Sequence, residues 1–231
     1  TLLGDYIRYG LPLIAGEVVW SVNTMVNSII FGQFFDASVA TAVSIANTMG
    51  TLAFIAISGL ASAVGIITGK TVGAGKYELM KEYARTTQVI FLFVGLLSGA
   101  LVAGLSGPFV GLYSGALGGG ISQAATKGAA LLLGVLSITI IGTGYQMPCL
   151  FGLVKSGGDI SFVFKNDTIF VFCVVLPSAL IAAWLGAPAW LAFACLKSDQ
   201  ILKCFVAVVK INRFNWMKNL TRTNVTETEC Y

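Results

Sequence analysis

Val39–Thr68 reads VATAVSIANTMGTLAFIAISGLASAVGIIT, thirty residues without one Asp, Glu, Lys or Arg. Crossing the hydrocarbon core of a bilayer takes about 20 apolar residues in a helix. The stretch is longer than that, so it predicts a span that tilts or protrudes at one end. Its apolar and polar residues do not alternate, which argues against a strand of a membrane barrel. In lipid the backbone must then satisfy itself as a helix.

Five further runs flank this one: Gly10–Phe34, Thr87–Val110, Ala124–Leu150, Phe162–Leu185 and Ala189–Val209. Composition agrees. Of the 231 residues, 56% are hydrophobic and 10% charged, against roughly 25% charged in soluble domains. A soluble fold of this length has too little interior to hide that much apolar surface. The expected architecture is an all-α, polytopic membrane protein: a six-transmembrane-helix bundle over residues 1–211 and a polar tail over 212–231.

Six spans put both termini on one side. That side receives Arg8, Lys70, Lys76, Lys81, Arg85, Lys155, Lys210, Arg213, Lys218 and Arg222. The opposite connections, near Asp36, Gly115 and Gly186, hold no Lys or Arg, and Lys127 sits just inside the fourth span. The positive-inside rule places both termini in the cytoplasm. The net charge of +4 reflects this bias, with no nucleic-acid partner implied. The first run is too long, and lacks the charged n-region, for a cleavable signal peptide. The opening residue is Thr1, which points to sequence upstream.

The absence of His excludes His-based triads, HExxH zinc sites and histidine proton relays. The five Cys (Cys149, Cys173, Cys195, Cys204, Cys230) show no CxxC spacing and read as small apolar fillers. Gly65-Ile-Ile-Thr-Gly69-Lys70-Thr71 imitates a P-loop, but its glycines are too close and it follows a helix rather than a strand. No metal cluster, cofactor motif or enzymatic nucleophile–base pair is visible. Asn219 and Asn224 open glycosylation sequons that a cytoplasmic tail leaves idle.

Polar residues inside the spans carry the functional reading. Glu17 lies about a turn and a half into the first span, and membrane-embedded carboxyl groups usually face a cavity. Ser21, Thr24 and Ser28 follow on its helical stripe; they serve equally well in helix packing. The second span presents Thr41, Ser44, Asn47, Thr48, Thr51, Ser58 and Ser62, then Gly65, Gly69 and Gly73 at packing intervals. Lys76–Arg85 reads as a short amphipathic helix on the membrane surface. The third span ends at Gly107-Pro108 and a glycine-rich loop, Gly115–Gly120. Thr139, Thr143 and Gln146 share a stripe on the fourth span, before a kink or hinge at Pro148. Asp167 opens the fifth span, at headgroup depth or inside the cavity, beside a Lys165 able to snorkel. Asp199 and Lys203 are four apart on the sixth span and within pairing reach.

These residues together resemble the second half of a multidrug and toxic compound extrusion (MATE) transporter. The resemblance rests on Tyr9-Gly-Leu-Pro12 with Glu17 and Trp20; Ile30-Phe-Gly32; Val39 to Asn47; Gly59-Leu-Ala-Ser-Ala63 running into Gly69-Lys-Thr-Val-Gly-Ala-Gly75; Gly157-Gly-Asp159; Leu176-Pro177; and Trp216-Met-Lys-Asn-Leu220. It covers about residues 1–222. It implies one lobe of a twelve-helix protein whose two bundles face a central cavity in the plasma membrane. It also implies antiport of cationic, drug-like compounds against H⁺ or Na⁺.

In that family an acid on this bundle's first helix is implicated in coupling. Glu17 matches it, and Na⁺ would meet the protein there. Some members carry a second acid on the fourth helix, where this chain holds only Gln146; Asp167 is a candidate substitute. Glu17, Ser21, Thr24, Asn47, Gln146 and Asp167 are the expected cavity and coupling residues. The second wall would come from an N-terminal six-helix half or from a second copy in a homodimer. Two other readings stand beside this one. The first is a lipid-linked oligosaccharide flippase of the same superfamily, kept open by Lys197 and Lys203. The second is a truncated membrane protein that does not transport.

Overall fold

The computed structural model describes residues 2–116 and 122–218. Residues 117–120 of the glycine-rich loop, Cys230, the two sequons and the tail beyond Lys218 lie outside the described residues. The described chain is helical, with no strand: α1 (Leu2–Phe34), α2 (Ala37–Gly73), α3 (Tyr77–Gly111), α4 (Gln123–Met147), α5 (Ile160–Ile169), α6 (Leu176–Trp184) and α7 (Ala189–Asn212). Wider π-helical turns extend α3 over Leu112–Ala116, extend α4 over Pro148–Lys155, and join α5 to α6 over Phe170–Val175. Five helices are long and apolar enough to cross a membrane: Gly10–Phe34, Ala37–Gly73, Tyr77–Gly115, Gln123–Lys155 and Ile160–Trp184. α7 has 24 residues, about 36 Å at 1.5 Å per residue. It falls outside that set because Lys197, Asp199, Lys203 and Lys210 punctuate it. The protein is a multi-pass membrane helical bundle.

Local chemistry sets the breaks. Between α2 and α3 the chain turns at Gly75, whose φ of +71° suits a residue without Cβ. The amides of Gly75 and Lys76 close the turn on the carbonyls of Val72 and Thr71. Ser122 caps α4 by accepting from the Ala125 amide at 3.2 Å. Two expectations are corrected here. Lys76–Arg85 is not a separate surface helix: Tyr77–Arg85 forms the first turns of α3. No breaker follows Gly75, and Met80 and Ala84 are buried against the bundle, which locks this stretch into the span. Pro108 does not end the third span either. The helix runs on to Gly111, since Pro costs one backbone hydrogen bond and a bend rather than forbidding the helix.

α4 is the centre of the bundle. A Cβ on Gly144 would collide with the backbone of Gly95 on α3, and one on Gly142 would lie 2.5 Å from the Gln200 carbonyl oxygen on α7. These glycines let the backbones approach as membrane helices do when small residues meet. Two apolar clusters fill the interior. One gathers Ile30, Phe31, Ile57, Leu132, Leu133 and Phe193. The other gathers Met80, Phe91, Leu150, Leu153 and Trp216 near the end that carries most of the Lys and Arg.

At that basic end Arg213–Lys218 fold back onto the connection before α5. Trp216 is fully buried, donates to the Ile211 carbonyl at 3.1 Å, and lies where a Cβ on Gly157 would be. The Lys218 amide donates to the Gly157 carbonyl at 2.8 Å. Asp159 meets Lys210 and Lys218, each at 2.7 Å. Burial alone would raise its carboxyl pKa, but the hydrogen bonds and charges of the two lysines outweigh it and hold the group below its usual value.

Candidate functional site

α1, α4, α5 and α7 bring their polar residues to one place. Thr143 and Gln146 are buried on α4. The Thr143 hydroxyl donates to Gln200 Oε1 at 3.0 Å, and Gln146 Nε2 donates to the same oxygen at 2.9 Å. Gln200 Nε2 turns to Asp199, 3.0 Å from Oδ1 and 3.1 Å from Oδ2. The expected Asp199–Lys203 pair forms at 3.0 Å. Asp167 joins it from α5, 2.8 Å from Lys203 Nζ. The Lys203 and Asp199 side chains are each 7% exposed and that of Asp167 20%. Burying such charges is tolerable because each has a partner.

Beside this network lies a cavity of about 360 Å³ lined by Glu17, Trp20, Asn23, Phe54, Gln146, Phe151, Lys155, Phe164, Asp167, Asp199, Gln200 and Lys203, among others. A second, of about 780 Å³, adjoins it and shares Trp20, Asn23, Phe54, Thr143, Asp199 and Gln200. Its further lining includes Thr24, Asn27, Ser28, Ser44, Asn47, Thr48, Thr51 and Lys197. Both volumes fall in the range of small-molecule sites, roughly 300–1,000 Å³.

The structure therefore brings Glu17, Gln146 and Asp167 to one cavity and Thr24 and Asn47 to its neighbour. Ser21 lines neither; its hydroxyl donates to the Glu17 carbonyl at 2.9 Å. Thr24 likewise donates to Trp20, and Ser28 to Thr24, the usual recourse of a hydroxyl in an apolar helix. Glu17 is exposed and enters no ion pair among the described residues. Asp167 lines the cavity and pairs there with Lys203.

Sequence reasoning missed Gln200, the hub of the network, and the amides Asn23 and Asn27. A buried oxygen on each of Asn23, Asn27 and Gln146 has no protein partner. The signal was there for the asparagines, two amides four apart in a mostly apolar helix. Gln200 gave none beyond its adjacency to Asp199.

Acids, amides and aromatic rings thus face one cavity in a polytopic membrane bundle. The MatE family model matches residues 12–177, and the chain belongs to this family of transporters. No curated protein and no solved structure matched.

Proposed function

We propose that this chain is the C-terminal bundle of a secondary active antiporter that exports cationic, drug-like compounds in exchange for H⁺ or Na⁺. The observation that supports this most is the shared lining of Glu17, Asp167 and Asp199 with Trp20, Phe54, Phe151 and Phe164. Carboxylates attract a cation, and aromatic faces hold an organic one by dispersion and by their quadrupole. Glu17 enters no ion pair among the described residues, so an incoming H⁺ or Na⁺ and an outgoing substrate compete for it. If binding one releases the other, the fluxes are coupled while the bundles rock to alternate access. The second wall comes from an N-terminal half or a second copy, and the protein sits in the plasma membrane with both termini cytoplasmic. The flippase reading is weaker because Lys203, which lines the smaller cavity, is already matched by two carboxylates and offers a phosphate little net positive charge.

The test is dye efflux driven by a cation gradient in cells expressing the full-length protein. Glu17→Gln is expected to abolish it at unchanged membrane abundance. Efflux at the unsubstituted rate would overturn the proposal.

A further inference from the structure

We propose that Lys203 is a tethered cation that occupies an organic-cation subsite formed by Asp167 and Asp199, and that a cationic guest takes its place. The inference rests on the transport reading above and goes beyond it by assigning the subsite and its resident competitor. The Lys203 ammonium lies 2.8 Å from Asp167 and 3.0 Å from Asp199. The ring of Phe170 is 5.7 Å away on centroid. Two carboxylates and an aromatic ring make a receptor for an ammonium group, and here the chain's own side chain fills it.

Three features mark the place as a subsite rather than a closed structural ion pair. Asp167, Asp199 and Lys203 all line the cavity of about 360 Å³, so a guest reaches the carboxylates without unfolding the bundle. The triad keeps a residual charge of −1, and Glu17 adds another acid to the same lining. Gln146, only 5% exposed, lines the same cavity and carries a buried oxygen without a protein partner. The positive charges facing the site are Lys203 itself and Lys155 in the same lining, with Lys197 in the adjoining one.

The tether has a mechanical consequence. Two buried carboxylates without a counter-ion would be costly. A bound guest replaces Lys203 at Asp167, and when the guest leaves the ammonium returns. The emptied site is never stripped of positive charge, so the bundle can change state without a guest.

The test uses the full-length protein in lipid nanodiscs with tetraphenylphosphonium as probe. Equilibrium dialysis measures its affinity, and a small amine-acylating reagent read by mass spectrometry measures access to Lys203. In the unsubstituted protein, saturating probe is expected to raise Lys203 acylation severalfold. Lys203→Met is expected to bind the probe about tenfold more tightly or better, a gain near 1.4 kcal/mol, and Lys203→Met with Asp167→Asn to return near the original affinity. If the probe binds in a Glu17-dependent way but neither acylation nor Lys203→Met affinity rises, the tether is wrong and the transport reading stands. If the probe does not bind, or binds equally well to Glu17→Gln, the transport reading falls and this inference with it. Should Lys203→Met fail to fold, acylation of the unsubstituted protein decides alone.

Discussion

α7 carries two ion clusters seven residues apart, and they are opposites. Around Lys203 one lysine sits between two carboxylates, Asp167 and Asp199. Around Asp159 one carboxylate sits between two lysines, Lys210 and Lys218. The first keeps a net −1 on a cavity wall inside the bundle. The second keeps a net +1 at its basic end, where Lys218 is half exposed. The same pairing chemistry thus serves two ends. In the cavity the spare charge is negative, as the proposed cation subsite requires. At the edge the spare positive charge agrees with the positive-inside bias, and the lysines fasten the chain after α7 to the turn before α5.

The contrast should break most visibly at Lys203. Without a probe cation, Lys203→Met leaves two buried carboxylates uncompensated, a loss of about 3–5 kcal/mol. It should appear as a lower thermal midpoint in nanodiscs, largely recovered when Asp167 and Asp199 are also changed to Asn. A midpoint unmoved by Lys203→Met would mean that water already screens the cluster.

At the other end, Gly157→Ala forces a methyl group into the indole of Trp216. Overpacking of this kind costs about 1–3 kcal/mol. The expected sign is a red-shifted tryptophan emission and faster proteolysis after Arg213, with the membrane core intact. Unchanged emission would show that the segment yields without leaving its seat.

The finest difference is in pH. The Asp159 carboxyl pKa is lowered in the folded protein, so its stabilising contribution is present above the unfolded value of about 3.9. That contribution fades as pH falls through the lowered folded value. Asp159→Asn should therefore flatten the acid limb of the stability curve below about pH 4 and lower stability at neutral pH. An identical acid limb in the variant would show that the two lysines do not hold the carboxylate.

Much of this was legible in the chain. Runs of about 20 apolar residues report spans directly, because lipid acts on composition and length alone. The Asp199–Lys203 pair was legible because four residues on one helix fix the distance between side chains. Asp167 was visible as an acid near a span end, but its partner was not. Lys203 lies 36 positions later, and only the ion pair between α5 and α7 in the folded bundle joins them. The misread surface helix at Lys76–Arg85 failed for a related reason. Its mixed charge fits an interfacial helix and an exposed helix end equally, and burial of Met80 and Ala84 decided between them.

The sequence by itself determined a multi-pass helical membrane protein, its basic end, and Glu17 as the acid within its first apolar run. These follow from hydropathy, length and helical period, which are local quantities. Tertiary structure alone decided that Glu17, Asp167, Asp199 and Lys203 share one cavity, that Gln200 links α7 to α4, and that Trp216 closes on Gly157. Those are contacts between distant segments, set in part by how closely Gly142 and Gly144 let α7 and α3 approach α4, a property of facing surfaces that no single stretch contains.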